Sequence, residues 1–180
     1  KRQGIHTPVV ISRQEHDEFL GAEVRKTDYS IADLAEILGD IDAVVHLAAQ
    51  RGNYNQFKDY QGNILITQNL YEACASCRIK NIVYASTISV YSESYKLPWD
   101  ENQLPRPVSM YGISKLNGEL IGDLYFKKHN MNIKSLRFAH LFACNEKNDY
   151  MINKFMRQAF NKEKLVLFSK QKAKREFLYA

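Results

Sequence analysis

Short β-branched runs alternate along this chain with longer stretches of helical period. Pro8-Val9-Val10-Ile11-Ser12 predicts a strand, and Ala22 to Thr27 a weaker one. Ser30 with Asp33 three residues on is a capped helix start, with Leu34, Ile37 and Leu38 as the buried face and Gly39 as its end. Ala43-Val44-Val45-His46-Leu47 predicts a fully buried strand. A helix follows from about Tyr60 to Cys77, its apolar face carried by Ile64, Leu65, Leu70, Ala73 and Cys74, and Asn81 to Ala85 is the next strand. After a loop holding Pro98, Pro105 and Pro107, residues Tyr111 to His129 predict a long helix. Its apolar stripe is Ile113, Leu116, Leu120, Ile121 and Leu124, and Asn130 is a left-handed stop. Ile133 to Phe138 reads as a strand. Asp149 starts a last helix with Met151, Ile152, Phe155, Met156, Ala159 and Phe160 inward.

Strands alternating with helices predict an α/β fold, a doubly wound parallel sheet with helices on both faces. Such a sheet normally opens with a strand that runs into a glycine-rich turn, where a pyrophosphate sits at a helix N-terminus. Nothing in the chain matches G-x-x-G-x-x-G, and the eight glycines are dispersed. In the usual 3-2-1-4-5-6 order the first strand is central, so without it its two neighbours keep unpaired backbone edges. These 180 residues are therefore expected to be a portion of a longer protein.

Composition adds mainly exclusions. With 45% apolar and 25% charged residues the chain fits an ordinary globular protein. It has no apolar run near the ~20 residues that span a bilayer. Its opening residues, Lys1-Arg2-Gln3-Gly4, do not form a signal peptide. A cytoplasmic protein without a membrane or nucleic-acid partner is expected, because the net charge of +5 is modest and scattered. The local basic excess of Lys162, Lys164, Lys170, Lys172, Lys174 and Arg175 reads either as a solvated face or as a pocket for a diphosphate. Three cysteines make no disulfide framework. Cys74 and Cys77 lie late in a helix without a second ligand pair, so core packing is expected there and no metal site.

Tyr111-Gly112-Ile113-Ser114-Lys115 carries the strongest chemical signal. A tyrosine and a lysine four residues apart share one helix face, so the ammonium can lie beside the phenol. A free phenol, with a pKa near 10, is a poor base at neutral pH, and lowering it by about three units needs ~4 kcal/mol. A unit charge at ~4 Å in an effective dielectric of ~20 supplies about that much. Taken alone, the pair also fits an exposed helix surface. Ala85-Ser86-Thr87-Ile88-Ser89-Val90-Tyr91 lies at the C-terminal end of a strand, where ligands bind in such sheets. Thr87 reads either as a donor to a substrate hydroxyl whose proton Tyr111 removes, or as a turn satisfying its own backbone.

Val44-Val45-His46-Leu47-Ala48-Ala49, Asn63, Tyr84 to Tyr91, Tyr111 to Lys115, Leu136-Arg137-Phe138 and Arg175 to Tyr179 follow one another in order. Their set and spacing resemble the extended short-chain dehydrogenase/reductases, the NAD-dependent epimerase/dehydratase group, and within it the UDP-sugar 4-epimerases. The resemblance covers nearly the whole chain. It implies a partial NAD(P)-binding Rossmann-type domain over 1–148 and the start of a substrate-binding region over 149–180. It also implies Tyr111 as general base, Lys115 as the group that lowers its pKa and holds the nicotinamide ribose, and Thr87 as the ligand of the reacting hydroxyl.

The cofactor NAD would be bound by Arg13, Asp28, Tyr29, Leu47, Ala48, Ala49, Ser86 and Phe138 besides Tyr111 and Lys115, with Asp28-Tyr29 at the adenine and Phe138 near the carboxamide. His140 and Arg175 would join Thr87 on the substrate, Arg175 at the diphosphate. Plainer readings stand beside these. Asp28 can cap a turn, Leu47 to Ala49 can end a strand, Phe138 can be core, Arg175 a surface charge and Asn63 a packing residue.

Some positions depart from the family pattern. Ile88-Ser89 stands where the 4,6-dehydratases carry Asp-Glu, which disfavours dehydration. His140 replaces an asparagine of the epimerases, and Ala143-Cys144 replaces Gly-Pro. Ser12-Arg13 lacks the acidic residue for a ribose 2′-hydroxyl, so NAD is expected with NADP left open. The implied function is 4-epimerisation of a UDP-glucose or UDP-N-acetylglucosamine type of sugar, by transient oxidation at C4, in a homodimer joined through the two long helices. An NADPH-dependent reductase and a non-catalytic dinucleotide-binding regulator are the alternatives.

Overall fold

The computed structural model describes residues 6–14, 18–50, 56–91, 97–143, 151–166 and 177–179. The chain divides into two compact units, Lys1–Arg137 and Phe138–Ala180. The boundary suggested by sequence lay at 148/149.

In the first unit, β1 (Val9–Ser12) pairs in parallel with β3 (Ala22–Lys26), and the short β2 (Glu18–Phe19) lies antiparallel on the far edge of β3. Ser30 then caps α1 (Ile31–Ile37), its hydroxyl accepting the Asp33 N–H at 3.3 Å as the sequence pattern required. The strand β4 (Ala43–His46) and the helix α2 (Gln61–Ser76) lead to β5 (Asn81–Thr87), which pairs in parallel with β4 so that His46 lies opposite Tyr84. A 3₁₀ turn, Ile88–Tyr91, follows β5. The helix α3 (Met110–His129) ends at Asn130 in the left-handed region, φ 53°, and leads to β6 (Asn132–Phe138) beside β5. The core joins Leu34 and Leu38 of α1, Leu70 and Tyr71 of α2, Ile82 of β5 and Met131.

Among the described residues the strands of this unit form two three-stranded sheets, β1-β3-β2 and β4-β5-β6, and not one continuous sheet. β1 and β4 are each a terminal strand of their sheet, the positions where a missing central strand was expected to leave unpaired edges. The expectation that β4 is buried on both faces is corrected. Ala43 and Val45 are exposed, Val45 at 63%, while Val44 and His46 turn inward. The run is apolar throughout, but only one face of the strand is covered.

The face of α3 is also corrected. Its buried residues are Gly112, Ser114, Lys115, Gly118, Glu119 and Gly122, whereas Ile113, Leu120 and Leu124 are exposed and Leu116 and Ile121 half-buried. On α2 the predicted core residues Leu70, Ala73 and Cys74 are buried, but Leu65 points outward and Asn63 and Thr67 point inward.

In the second unit β7 (His140–Phe142) pairs in parallel with β8 (Phe177–Tyr179), and α4 (Met151–Phe160) lies between them in sequence. The predicted inward face of α4 is only partly realised. Ile152 and Phe155 are half-buried, but Met151, Met156, Ala159 and Phe160 are exposed and Asn153 is the buried residue. The start of this helix at Asp149 lies outside the described residues, as do Ala143's neighbour Cys144 and Arg175.

Candidate active site

Three glycines set the depth of α3. Ser109 caps the helix by accepting the Gly112 N–H at 3.1 Å. A Cβ at Gly112 would stand 2.7 Å from the Ser89 carbonyl and 3.0 Å from Pro107 Cβ, so only glycine lets the first turn meet the 3₁₀ turn after β5. A Cβ at Gly118 would overlap the Tyr84 phenol, at 2.5 Å from Cζ and 2.9 Å from Cε1. A Cβ at Gly122 would stand 3.3 Å from Ile133 Cγ2 and 3.7 Å from Tyr71 Cε2.

The helix thereby holds Lys115 against β5 two residues before Thr87, with Tyr111 one turn earlier on the same helix. Lys115 is 2% exposed, and its Nζ donates to the Ala85 carbonyl at 2.7 Å and lies 4.7 Å over the centre of the Tyr84 ring. Burial pulls its pKa from 10.5 down to about 8. Tyr111 is half-buried, with its ring 5.9 Å from that of Tyr60. Thr87 is buried, and its Oγ1 accepts the Ser89 N–H and bonds the Ser89 hydroxyl, both at 3.2 Å.

A chain of buried polar groups stands behind this pair. Thr67 Oγ1 donates to the Asn63 carbonyl at 2.7 Å, so toward His46 Nε2, 2.9 Å away, it accepts, which places the imidazole proton on Nε2. Burial, with Lys115 adding repulsion, holds His46 neutral by lowering its pKa to about 3. Asn63 pins the segment that follows β4. Its Oδ1 accepts the Gln50 N–H at 2.6 Å and its Nδ2 donates to the Gln50 carbonyl at 3.1 Å and to Ser114 Oγ at 3.4 Å. One turn further along the same buried face of α3, Ser86 donates to Glu119, and Arg137 clamps that carboxylate with Nη2–Oε2 at 2.6 Å. Arg137 also lies 4.7 Å over the Tyr91 ring, which stacks on Trp99. The Ser86 hydroxyl, suggested by sequence as a cofactor ligand, thus points to Glu119.

The predicted adenosine end lies along a cleft of about 750 Å³ lined by Arg13, Tyr29, Ala48, Ala49, Asn63 and residues of α2. Arg13 sits 5.3 Å over the Tyr29 ring, and Tyr29 takes the left-handed region at φ 64°, its carbonyl held by Asn69 Nδ2 at 2.9 Å. Burial raises the Tyr29 pKa. Asp28 is exposed and accepts the Ser30 N–H at 2.6 Å; this bond keeps its carboxyl below the usual range. It thus holds the turn before α1, the plainer of its two readings. Leu47 is 67% exposed after β4. Phe138 ends β6 half-buried. His140, in the second unit, lies against Phe177 with ring centres 5.7 Å apart.

The sequence reading named Thr87, Tyr111 and Lys115 as candidates but gave no role to the buried His46, Thr67, Tyr84 and Glu119 or to the half-buried Arg137. The available signal was a second stripe on α3, Ser114, Lys115, Gly118, Glu119 and Gly122, small or polar at helical spacing. Among the described residues no group of three or more acidic, histidine or cysteine side chains is placed to hold a metal. No described helix is long and apolar enough to cross a membrane.

Comparison with known proteins decides the lineage. The NAD dependent epimerase/dehydratase family matches residues 1–180. The chain belongs to that family. Its epimerase/dehydratase relatives include an uncharacterised UDP-glucose epimerase of Bacillus subtilis, YtcB, 33% identical over 86% of this chain and 50% of the relative. The UDP-N-acetylglucosamine 4-epimerase of Bacillus cereus superposes with a TM-score of 0.90 at 53% identity, over 96% of this chain and 58% of that one. The UDP-glucuronic acid 4-epimerase of Bacillus cereus, solved with NAD, gives a TM-score of 0.82 at 29% identity over 95% of this chain and 60% of that one. The chain spans about half the length of the curated relatives it matches. The Rossmann-type α/β assignment and the epimerase/dehydratase resemblance read from the motifs are thus borne out.

Proposed function

We propose that the natural protein carrying this chain interconverts the C4 epimers of a UDP-hexose, of the glucose or N-acetylglucosamine type, with NAD as its cofactor. The observation that carries this reading is Lys115, buried on α3 one turn after a half-buried Tyr111, with its ammonium tied to β5 two residues before Thr87. The 53% identity to a UDP-N-acetylglucosamine 4-epimerase supports the N-acetylated substrate in particular.

The residues present fit a dinucleotide. Alanines at 48 and 49 leave the wall of the cleft low, Arg13 and Tyr29 offer a cation and an aromatic face, and Lys115 keeps donors free beyond its single carbonyl bond. Arg13, Tyr29, Ala48 and Ala49 would hold the adenosine half and Lys115 the nicotinamide ribose. When bound, NAD supplies the hydride acceptor for C4.

Within this arrangement Thr87 orients the reacting hydroxyl, Tyr111 takes its proton and later returns it, and the Lys115 charge stabilises the phenolate. The exposed leucines of α2 and α3, Leu65, Leu120 and Leu124, support a homodimer through these helices.

Incubating the full-length protein with UDP-N-acetylglucosamine or UDP-glucose and NAD, and following the sugar by proton NMR, tests the reading. The 4-epimer is expected to accumulate to equilibrium, and Tyr111→Phe to slow it by about 10²–10⁴-fold. Absence of exchange with any UDP-hexose defeats it, and stoichiometric consumption of the nicotinamide would mark a reductase instead.

A further inference from the structure

We propose that Tyr84 is a positioning residue for Lys115, its ring face seating the ammonium and Gly118 providing the notch that admits the ring. The inference rests on the reading of Tyr111 and Lys115 given above and deepens it. The Lys115 ammonium is cut off from water, and among the described residues it rests on one carbonyl, Ala85 at 2.7 Å, and one ring face, Tyr84 at 4.7 Å. A buried cation with so few oxygen partners needs another source of negative potential, and the face of an aromatic ring supplies it.

The ring itself cannot swing away. Tyr84 is 1% exposed, has the His46 ring 5.4 Å behind it and Tyr71 at 6.4 Å on edge, and its hydroxyl donates to the Lys115 carbonyl at 3.4 Å. Any side chain at 118 larger than glycine's hydrogen would collide with the phenol, so the depth of α3 and the place of the ring are set together. The ionisable groups around the seat are His46 from β4, Tyr71 from α2, Tyr84 from β5, and Tyr111 and Glu119 from α3. His46 is neutral and the Tyr84 phenol is held protonated by burial, so neither competes with the ammonium for charge.

The test separates ring face from ring bulk. In the full-length protein Lys115 is titrated by NMR of its side-chain nitrogen, with Lys115→Met giving the assignment. The pH profile of kcat/KM for epimerisation is then measured on the same set of variants. Tyr84→Phe keeps the face and is expected to titrate within half a unit of wild type. Tyr84→Leu removes it and is expected to lower the Lys115 pKa by about one unit, a tenfold change worth ~1.4 kcal/mol, and to narrow the kcat/KM profile with little change in KM.

Phenylalanines carrying two and then five ring fluorines at position 84 keep the shape while weakening the face, and each is expected to lower the lysine pKa further. These also decide the matter if Tyr84→Leu fails to fold. Equal titration across the series, or a shift in Tyr84→Phe as large as in the fluorinated rings, overturns the proposal. The NMR readout is independent of turnover, so a protein that epimerises nothing would sink the functional reading and still settle the seat of Lys115.

Discussion

Replacing Lys115 by methionine should stabilise the fold while abolishing turnover. Burial lowers the lysine pKa from 10.5 to about 8, so at pH 7 the folded protein holds a charge that the unfolded chain carries more cheaply. Two and a half pH units at 1.36 kcal/mol each amount to roughly 3 kcal/mol of destabilisation. Methionine removes that charge with similar volume but leaves the Ala85 carbonyl without its donor, a loss of about 1 kcal/mol. A net gain of about 2 kcal/mol is expected in urea unfolding at pH 7.

The pH dependence checks the cause. Between pH 8 and 10.5 the unfolded chain keeps a proton that the folded lysine has lost, so wild-type stability rises with pH through that window. Lys115→Met lacks this rise, so the gap between the two proteins should shrink above pH 8, close about 1.5 units higher and then reverse by about 1 kcal/mol. A variant less stable than wild type at pH 7, or a gap that does not change with pH, refutes the reasoning.

Two further outcomes follow from the same geometry. His46 has its pKa lowered from 6.5 to about 3, so wild-type stability is complete above pH 6.5 and is lost as the pH falls toward 3, by about 5 kcal/mol. His46→Gln keeps a donor for Thr67 without the titration, and an acid-unfolding midpoint well below that of wild type is expected by circular dichroism; an unchanged midpoint contradicts the assignment. Leu120→Glu with Leu124→Glu, at positions 55% and 63% exposed, should convert a dimer to monomer in sedimentation while the monomer stays folded. A double variant that sediments as wild type removes α3 from the interface.

Much of this was legible in the chain because the relevant signals are local. The Ser30 cap, the left-handed stop at Asn130 and the period of α3 each depend on residues within one or two turns. The face that α3 buries was not legible. The helix carries two stripes, and hydrophobicity alone favours Ile113, Leu120 and Leu124, whereas Gly118 and Gly122 let the polar stripe approach Tyr84, Tyr71 and Ile133 closely. That choice depends on partners up to fifty residues away. β4 misled for a related reason, since an apolar run reports burial on both faces only when both faces are covered, and Val45 is open. The pair Tyr111 and Lys115 could be read from spacing, but their supports could not. His46, Thr67 and Tyr84 come together through strand register and the packing of α2.

The central claim is that Tyr111 takes and returns the proton of a hydroxyl group whose carbon gives up its own hydrogen as hydride and recovers it without exchange with water. Turning over UDP-N-acetylglucosamine deuterated at C4 in ordinary water tests it most directly. The account predicts that both epimers at equilibrium retain the deuterium at C4 and that Tyr111→Phe slows the interconversion by about 10²–10⁴-fold. Loss of the label to solvent, or exchange by Tyr111→Phe at the wild-type rate, would contradict it.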